Sequence, residues 1–172
     1  NISRICNKQY CSARRPGIKI NITTEVDQNY LLVKGGFNEK LFSALQPPFP
    51  PVKLLRFDGS QKGDLVSLKL DFFLFSQIWT SEIIADNTMD GEFYFIDEGR
   101  KLPFFLGKWR HKHRIVKKEA QKSLIIDEID FNAPNRILDF LLYPILYLQF
   151  YRRKPIYKKY FANPPNPAST AD

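Results

Sequence analysis

From Ile18 to Val26, apolar and polar residues alternate: Ile18, Ile20, Ile22, Thr24 and Val26 take one parity, and Lys19, Asn21, Thr23 and Glu25 the other. A period of two predicts a strand with one buried face. Phe37, Leu41, Phe42 and Leu45 then recur at helical spacing after Gly35-Gly36, and the proline-rich Pro47 to Pro51 stops the chain from continuing as helix. One or two short helices and a rigid turn follow the first strand. The next segments read as strands: Val52 to Phe57, Leu65 to Leu74, Gln77 to Ala85, Glu92 to Glu98, Lys108 to Lys117 and Lys122 to Phe131. The stretches DGSQKGD and DNTMDG between them carry the Gly, Asn and Asp that tight hairpin turns require. After Asn132-Ala133-Pro134, the apolar run Ile137 to Phe150 predicts a long helix that Pro144 kinks. Arg152, Arg153, Lys154, Lys158 and Lys159 then fall where a helix C-terminus favours cations. The pattern is α+β, an antiparallel sheet of six or seven strands with two short helices early and one long helix late.

Composition refines this picture in three places. The 172 residues, 44% hydrophobic and 15% aromatic, suffice for one core without metal or disulfide support. The net charge of +8 suggests an acidic partner, but Arg4, Lys8, Arg14 and Arg15 stand in an N-terminal stretch without acids. Removing those four of 26 basic residues leaves 22 against 18 acidic ones, an ordinary balance. Cys6 and Cys11 share the same stretch, which reads as a flexible arm over residues 1–16 carrying two free thiols, with a short-loop disulfide as the alternative. Residues 17–161 form the domain, and residues 162–172, rich in Pro and Asn, a disordered tail. Ile137 to Tyr151 is shorter than a membrane span and contains Asp139, and the arm has no apolar signal segment, so a soluble cytoplasmic protein is expected. Set against the helix as an interfacial membrane anchor, its even apolarity favours burial in the core.

The stretch GKWRHKHRIVKK, Gly107 to Lys118, holds the chain's two histidines among six basic residues. Strand periodicity puts Trp109, His111, His113 and Ile115 on one face and Arg110, Lys112, Arg114 and Val116 on the other. A hairpin turn at Glu119 to Gln121 sets residues summing to 240 opposite one another. Lys112 then faces Glu128 and Arg110 faces Asp130 on the solvent side, while Trp109 meets Phe131, His111 meets Ile129 and His113 meets Asp127 inside. The cations therefore have acids of their own, and no specific nucleic-acid partner is expected. His-x-His with Asp127 or Asp97 as a third ligand is a weak metal signal. It yields to a reading in which the imidazoles are hydrogen-bonded within a partly polar wall, His113 to Asp127, without metal or cofactor.

The stretch DEGRKLPFFLGKWRHKHRI, Asp97 to Ile115, followed by IIDEIDFNAP, resembles the bacterial ligand-binding pattern of the START-like, or SRPBCC, superfamily, which includes polyketide cyclase/dehydrase-like proteins. In that pattern a Gly-Pro-Phe turn leads to Trp-x-His-x-His, then to an Asp-containing strand and a proline before the last helix; here Leu102-Pro103-Phe104 stands at the turn. The resemblance implies a helix-grip fold, with the sheet wrapped on the long helix and an apolar cavity between them. The inward set is then Val66, Leu68, Leu70, Phe72, Phe93, Phe95, Trp109, Ile125, Ile129 and Phe131 from strands, with Leu138, Leu141, Leu142, Ile145 and Leu148 from the helix. Candidate ligand-binding residues are Trp109, His111, His113, Asp127, Phe93, Phe95, Asp97, Phe131, Leu141 and Ile145, with Tyr94 and Arg56 as further polar groups. The implied function is carriage or sensing of an apolar, aromatic or lipid-like small molecule. The alternative is a cyclase/dehydratase in which His113, held by Asp127, acts as general acid or base.

Overall fold

The computed structural model describes residues 15–162; the N-terminal stretch with Cys6 and Cys11, and the tail from Asn163, lie outside the described residues. Seven strands and four helices follow in the order β1 (Ile18–Val26), α1 (Tyr30–Gly35), α2 (Glu39–Ala44), β2 (Val52–Phe57), β3 (Leu65–Phe72), β4 (Phe75–Met89), β5 (Glu92–Lys101), β6 (Lys108–Glu119), β7 (Lys122–Asn132), α3 (Arg136–Tyr151) and α4 (Arg153–Ala162). The strands form one antiparallel sheet in the order β1-β7-β6-β5-β4-β3-β2. Every strand segment expected from periodicity is present, and β4 extends to Met89 beyond the expected end at Ala85.

Local chemistry accounts for the boundaries. Asn29, Asn38 and Asn135 cap α1, α2 and α3, each accepting a hydrogen bond from a backbone N–H of the first turn. Gly91 adopts a φ of 77° in the turn between β4 and β5, a conformation that side chains disfavour. The β6–β7 register is the expected one: Trp109 pairs with Phe131, His111 with Ile129 and His113 with Asp127. On the outer face, however, the ion pairs are diagonal. Lys108 reaches Asp130 at 2.7 Å, and Arg114 bridges Glu92 at 2.8 Å and Glu128 at 2.9 Å, while Lys112 lies over the Tyr94 ring. Long side chains reach past the directly opposite residue to a neighbour two positions away.

The C-terminal helix departs from expectation in two ways. It runs through Pro144 and breaks instead at Arg152, the C-cap of α3, so Arg153, Lys154, Lys158 and Lys159 belong to a second helix, α4, with Lys159 in its last turn. Pro144 and Phe140, whose carbonyl loses its helical donor to the proline, both lie on the exposed side of the helix. The break lets α4 bring Tyr157 and Phe161 into a core cluster with Val26, Val33, Phe93, Phe95, Ile115 and Ile125. A side chain at Gly36 would collide with the Phe161 ring.

The second departure concerns which face of α3 is inside. Asp139, Leu146 and Phe150 are buried, with Leu138 and Leu142 half-buried. Leu141, Ile145 and Leu148, expected to point inward, are 52%, 50% and 63% exposed. The helix packs on β1 and α4 and, through Phe150, on Trp109 and His111 of β6, which leaves the expected seam facing outward. Asp139 explains the orientation. Its carboxylate accepts the Ala133 N–H at 2.6 Å and pairs with Arg15 at 3.1 Å, while Arg15 also donates to the Ala133 carbonyl. This clamp ties the β7–α3 junction to Arg15, which the sequence reading placed in the flexible arm.

Candidate functional site

Strands β5, β6 and β7 deliver four polar side chains to the inner face of the sheet. Asp97 comes from β5, His111 and His113 from β6 at i and i+2, and Asp127 from β7. His111 Nε2 lies 2.9 Å from Asp127 Oδ1, and His113 Nδ1 lies 3.3 Å from the same oxygen. On the other side, Asp97 Oδ2 lies 3.4 Å from His111 Nδ1 and 3.5 Å from His113 Nε2. The imidazoles are side by side with centroids 3.6 Å apart, so each carboxylate serves both rings. Asp97 is itself held by Trp109, whose indole Nε1 donates to Oδ1 at 2.9 Å. Asp127 Oδ2 has no hydrogen-bond partner.

This geometry changes the expected pairing. Asp127 was assigned to His113 because the two are cross-strand partners, but its shortest contact is to His111, the diagonal neighbour. Tilt of a side chain along the strand outweighs register at this scale.

The surroundings are apolar rings. Phe95 stacks on His113 with centroids 4.3 Å apart, Phe37 meets His113 edge-on, and Phe150 meets His111 edge-on at 4.9 Å. Burial opposes charge on His111, Asp97 and Asp127, but hydrogen bonds and Coulomb attraction among them prevail. His111 is held above the usual imidazole value by Asp127 and Asp97. Both carboxylates are held far below their usual range by the two histidines. Burial, reinforced by the Asp127 charge, pushes the Tyr157 phenol up and keeps it protonated.

Of the residues expected at the site, Trp109, His111, His113, Asp127 and Asp97 converge, with Phe95 stacked on them. Phe93 and Phe131 are buried in the two core clusters on either side. Leu141 and Ile145 lie on the outward side of α3, Tyr94 sits under Lys112 on the outer face, and Arg56 is exposed and paired with Asp58 at 2.7 Å. Phe37 and Phe150, which close the site, were missed; Phe37 was read as part of a helical repeat and Phe150 as the end of the apolar run, and neither pattern gave a sign that they meet the histidines. Two open surface grooves, about 610 and 600 Å³, lie elsewhere. One runs beside α3 at Arg15, Ile18, Asp139 and Tyr143, and the other lies between α2 and α4 at Ala44, Pro155 and Tyr160.

No protein-family model matches the sequence, and no curated protein matches it. Solved structures do. The Zhui aromatase/cyclase from a Streptomyces species superposes with a TM-score of 0.67 at 14% identity, covering 90% of this chain and 99% of that one. A START superfamily protein from Mycobacterium smegmatis gives 0.54 at 13% identity, covering 80% and 97%. The fold is the START-like, or SRPBCC, helix-grip fold. Norcoclaurine synthase from Thalictrum flavum, solved in complex with dopamine and hydroxybenzaldehyde, shares it with a TM-score of 0.54 at 10% identity, covering 74% of this chain and 76% of that one. These identities establish architecture only, and chemistry must be argued from this chain's own helix-grip site. Among the described residues, no helix is long and apolar enough to cross a membrane.

Proposed function

We propose that the protein binds an apolar or aromatic small molecule, or a lipid-like one, as a carrier or sensor. The observation that carries this reading is a continuous aromatic surface at the end of the sheet where α3 begins. Phe49 stacks on Phe73, Phe72 on Phe75 at 4.9 Å, and Phe104 and Phe105 join them from the β5–β6 loop. Phe73 and Leu74 are 96% and 95% exposed, an arrangement that a packed core does not require. Phe105 and Leu142 connect this surface to the cluster around Trp109 and Phe150, beside the polar site. An apolar body held among the phenylalanines, with polar contact from Asp97, follows the general form of small-molecule sites. The dopamine and hydroxybenzaldehyde complex of norcoclaurine synthase supports the reading by showing that this fold accepts aromatic ligands.

The cyclase alternative is less well supported. A general acid or base must reach its substrate, and His113 is covered by Phe95 and Phe37. Titration with an environment-sensitive apolar fluorophore, displaced by a fatty acid, tests the proposal. One saturable, displaceable site that weakens in Phe73→Ser with unchanged thermal stability is expected. Absence of saturable binding would overturn it.

A further inference from the structure

We infer that Asp97, His111 and His113 form a binding site for a first-row divalent cation of the zinc type. One ligand atom from each residue lies within 4.8 Å of the others. The Asp97 Oδ2 separations, 3.4 Å to His111 Nδ1 and 3.5 Å to His113 Nε2, are the closest approaches of these groups. Bonds of about 2.0–2.1 Å in tetrahedral array place ligand atoms roughly 3.3 Å apart, so both separations are within about 0.2 Å of what zinc requires.

The residues behind these ligands strengthen the case. A metal-binding imidazole needs its second nitrogen held by an acceptor, and a metal-binding carboxylate needs a donor on its second oxygen. Asp127 Oδ1 is hydrogen-bonded to the remaining nitrogen of His111 at 2.9 Å and lies 3.3 Å from that of His113, which has no hydrogen-bond partner, and Trp109 donates to the remaining oxygen of Asp97. Asp127 is therefore a positioning residue, a role distinct from the third-ligand role that spacing alone left open to it. The charge balance points the same way. Asp127 is buried and Asp97 half-buried, and among the described residues their ion-pair partners are histidines alone, with no Lys or Arg. A divalent cation would add positive charge between these groups. Asp97 and His113 keep 14% and 12% of their side chains exposed, which gives an ion an access route from one side.

Cobalt(II) is the direct probe, because imidazole and carboxylate ligands in a low-coordinate site give visible d–d absorption. The titration uses the full chain with Cys6→Ser and Cys11→Ser, since thiolates bind the same ions. One equivalent of cobalt should bind with visible bands, and zinc should displace it. His113→Gln should abolish the bands. Asp127→Asn, which leaves all three ligands in place, should weaken affinity about 10- to 100-fold. Circular dichroism checks that each variant is folded; if His113→Gln is not, Asp97→Asn replaces it. Folded protein that shows no saturable cobalt or zinc binding overturns the inference, as does binding left unchanged by removing a ligand. The apolar-probe titration above is independent of both results.

Discussion

Replacing Asp139 with Ala should destabilise the fold by about 2–4 kcal/mol, although the residue lies in a helix whose opposite side is open to water. The largest loss is at Ala133, whose buried N–H donates to Asp139 Oδ1 at 2.6 Å and is left without an acceptor. A hydrogen bond to a charged group is worth about 1.5–3 kcal/mol, and an orphaned buried donor costs a similar amount. The second loss is the Arg15 pair at 3.1 Å, whose guanidinium side is 35% exposed, so solvent screening limits it to about 0–1 kcal/mol. For a chain of this length each kcal/mol moves the midpoint by about 2–4 °C, giving a fall of roughly 5–15 °C. Thermal and urea unfolding of wild type, Asp139→Ala, Asp139→Asn and Arg15→Ala measure it. Asp139→Asn keeps a neutral acceptor and should recover about half of the loss, and Arg15→Ala should cost about 1 kcal/mol or less. A loss below about 0.5 kcal/mol in Asp139→Ala, or Arg15→Ala as damaging as Asp139→Ala, would refute the assignment of the clamp to the Ala133 bond.

Three further outcomes are expected. Asp127→Asn should lower the NMR titration midpoint of His111, because the Asp127 carboxylate that helps hold it up lies 2.9 Å from Nε2; an unchanged midpoint would contradict the geometry. With a chelator present, the raised His111 value adds stability that is complete below the unfolded imidazole value of about 6.5 and is lost as pH rises through the folded value. The depressed Asp97 and Asp127 values add stability that is present above about pH 3.9 and is lost as pH falls, so denaturant midpoints should peak between about pH 4 and 6.5. A midpoint that climbs steadily to pH 9 would exclude this balance. Ile115→Ala, at a fully buried position, should cost about 2–5 kcal/mol, whereas Leu74→Ala at the exposed hairpin tip should stay within about 0.5 kcal/mol; equal effects in urea unfolding would show that the burial is misassigned.

The sheet was legible in the sequence because its signals are local and redundant. Alternation in Ile18 to Val26 and in Lys122 to Phe131 assigns the faces, and the opposite charges at Lys112 and Glu128 pointed to the register the strands adopt, although the ion pairs themselves form diagonally. The candidate site was legible to the extent that it depends on parity: Trp109, His111 and His113 share a face, and Asp127 comes up beside them. Which imidazole takes the shorter contact with Asp127 was not, since side-chain tilt within one face leaves no periodic trace. The orientation of α3 was hidden for another reason. Ile137 to Phe150 is apolar on nearly every side, so the pattern has no polar face to mark the outside. The one discordant residue, Asp139, held the information, but its partners Arg15 and Ala133 lie 124 and 6 residues away. The helix break was obscured similarly: Pro144 is the obvious breaker, yet the chain bends at Arg152, whose guanidinium donates to the Gln46 carbonyl.

The order β1-β7-β6-β5-β4-β3-β2 makes the first strand the last to find its neighbour. Strands β2 to β7 are joined by successive hairpins, each pairing with the one made just before it, so their loops close over short stretches of chain. The strand β1 must instead wait for β7, and Ile18 pairs with Phe131 across more than a hundred intervening residues. On the ribosome, the hairpins that carry Asp97, His111, His113 and Asp127 are complete once β7 has emerged, while β1, which emerged before all of them, has remained unpaired in the meantime. Closing so long a loop is entropically slow compared with forming a hairpin. The alternating face of Ile18 to Val26 is therefore the segment most exposed to wrong pairing during synthesis. Lys19 and Glu25, at its two ends, are the charges that stand against edge-to-edge association until β7 arrives.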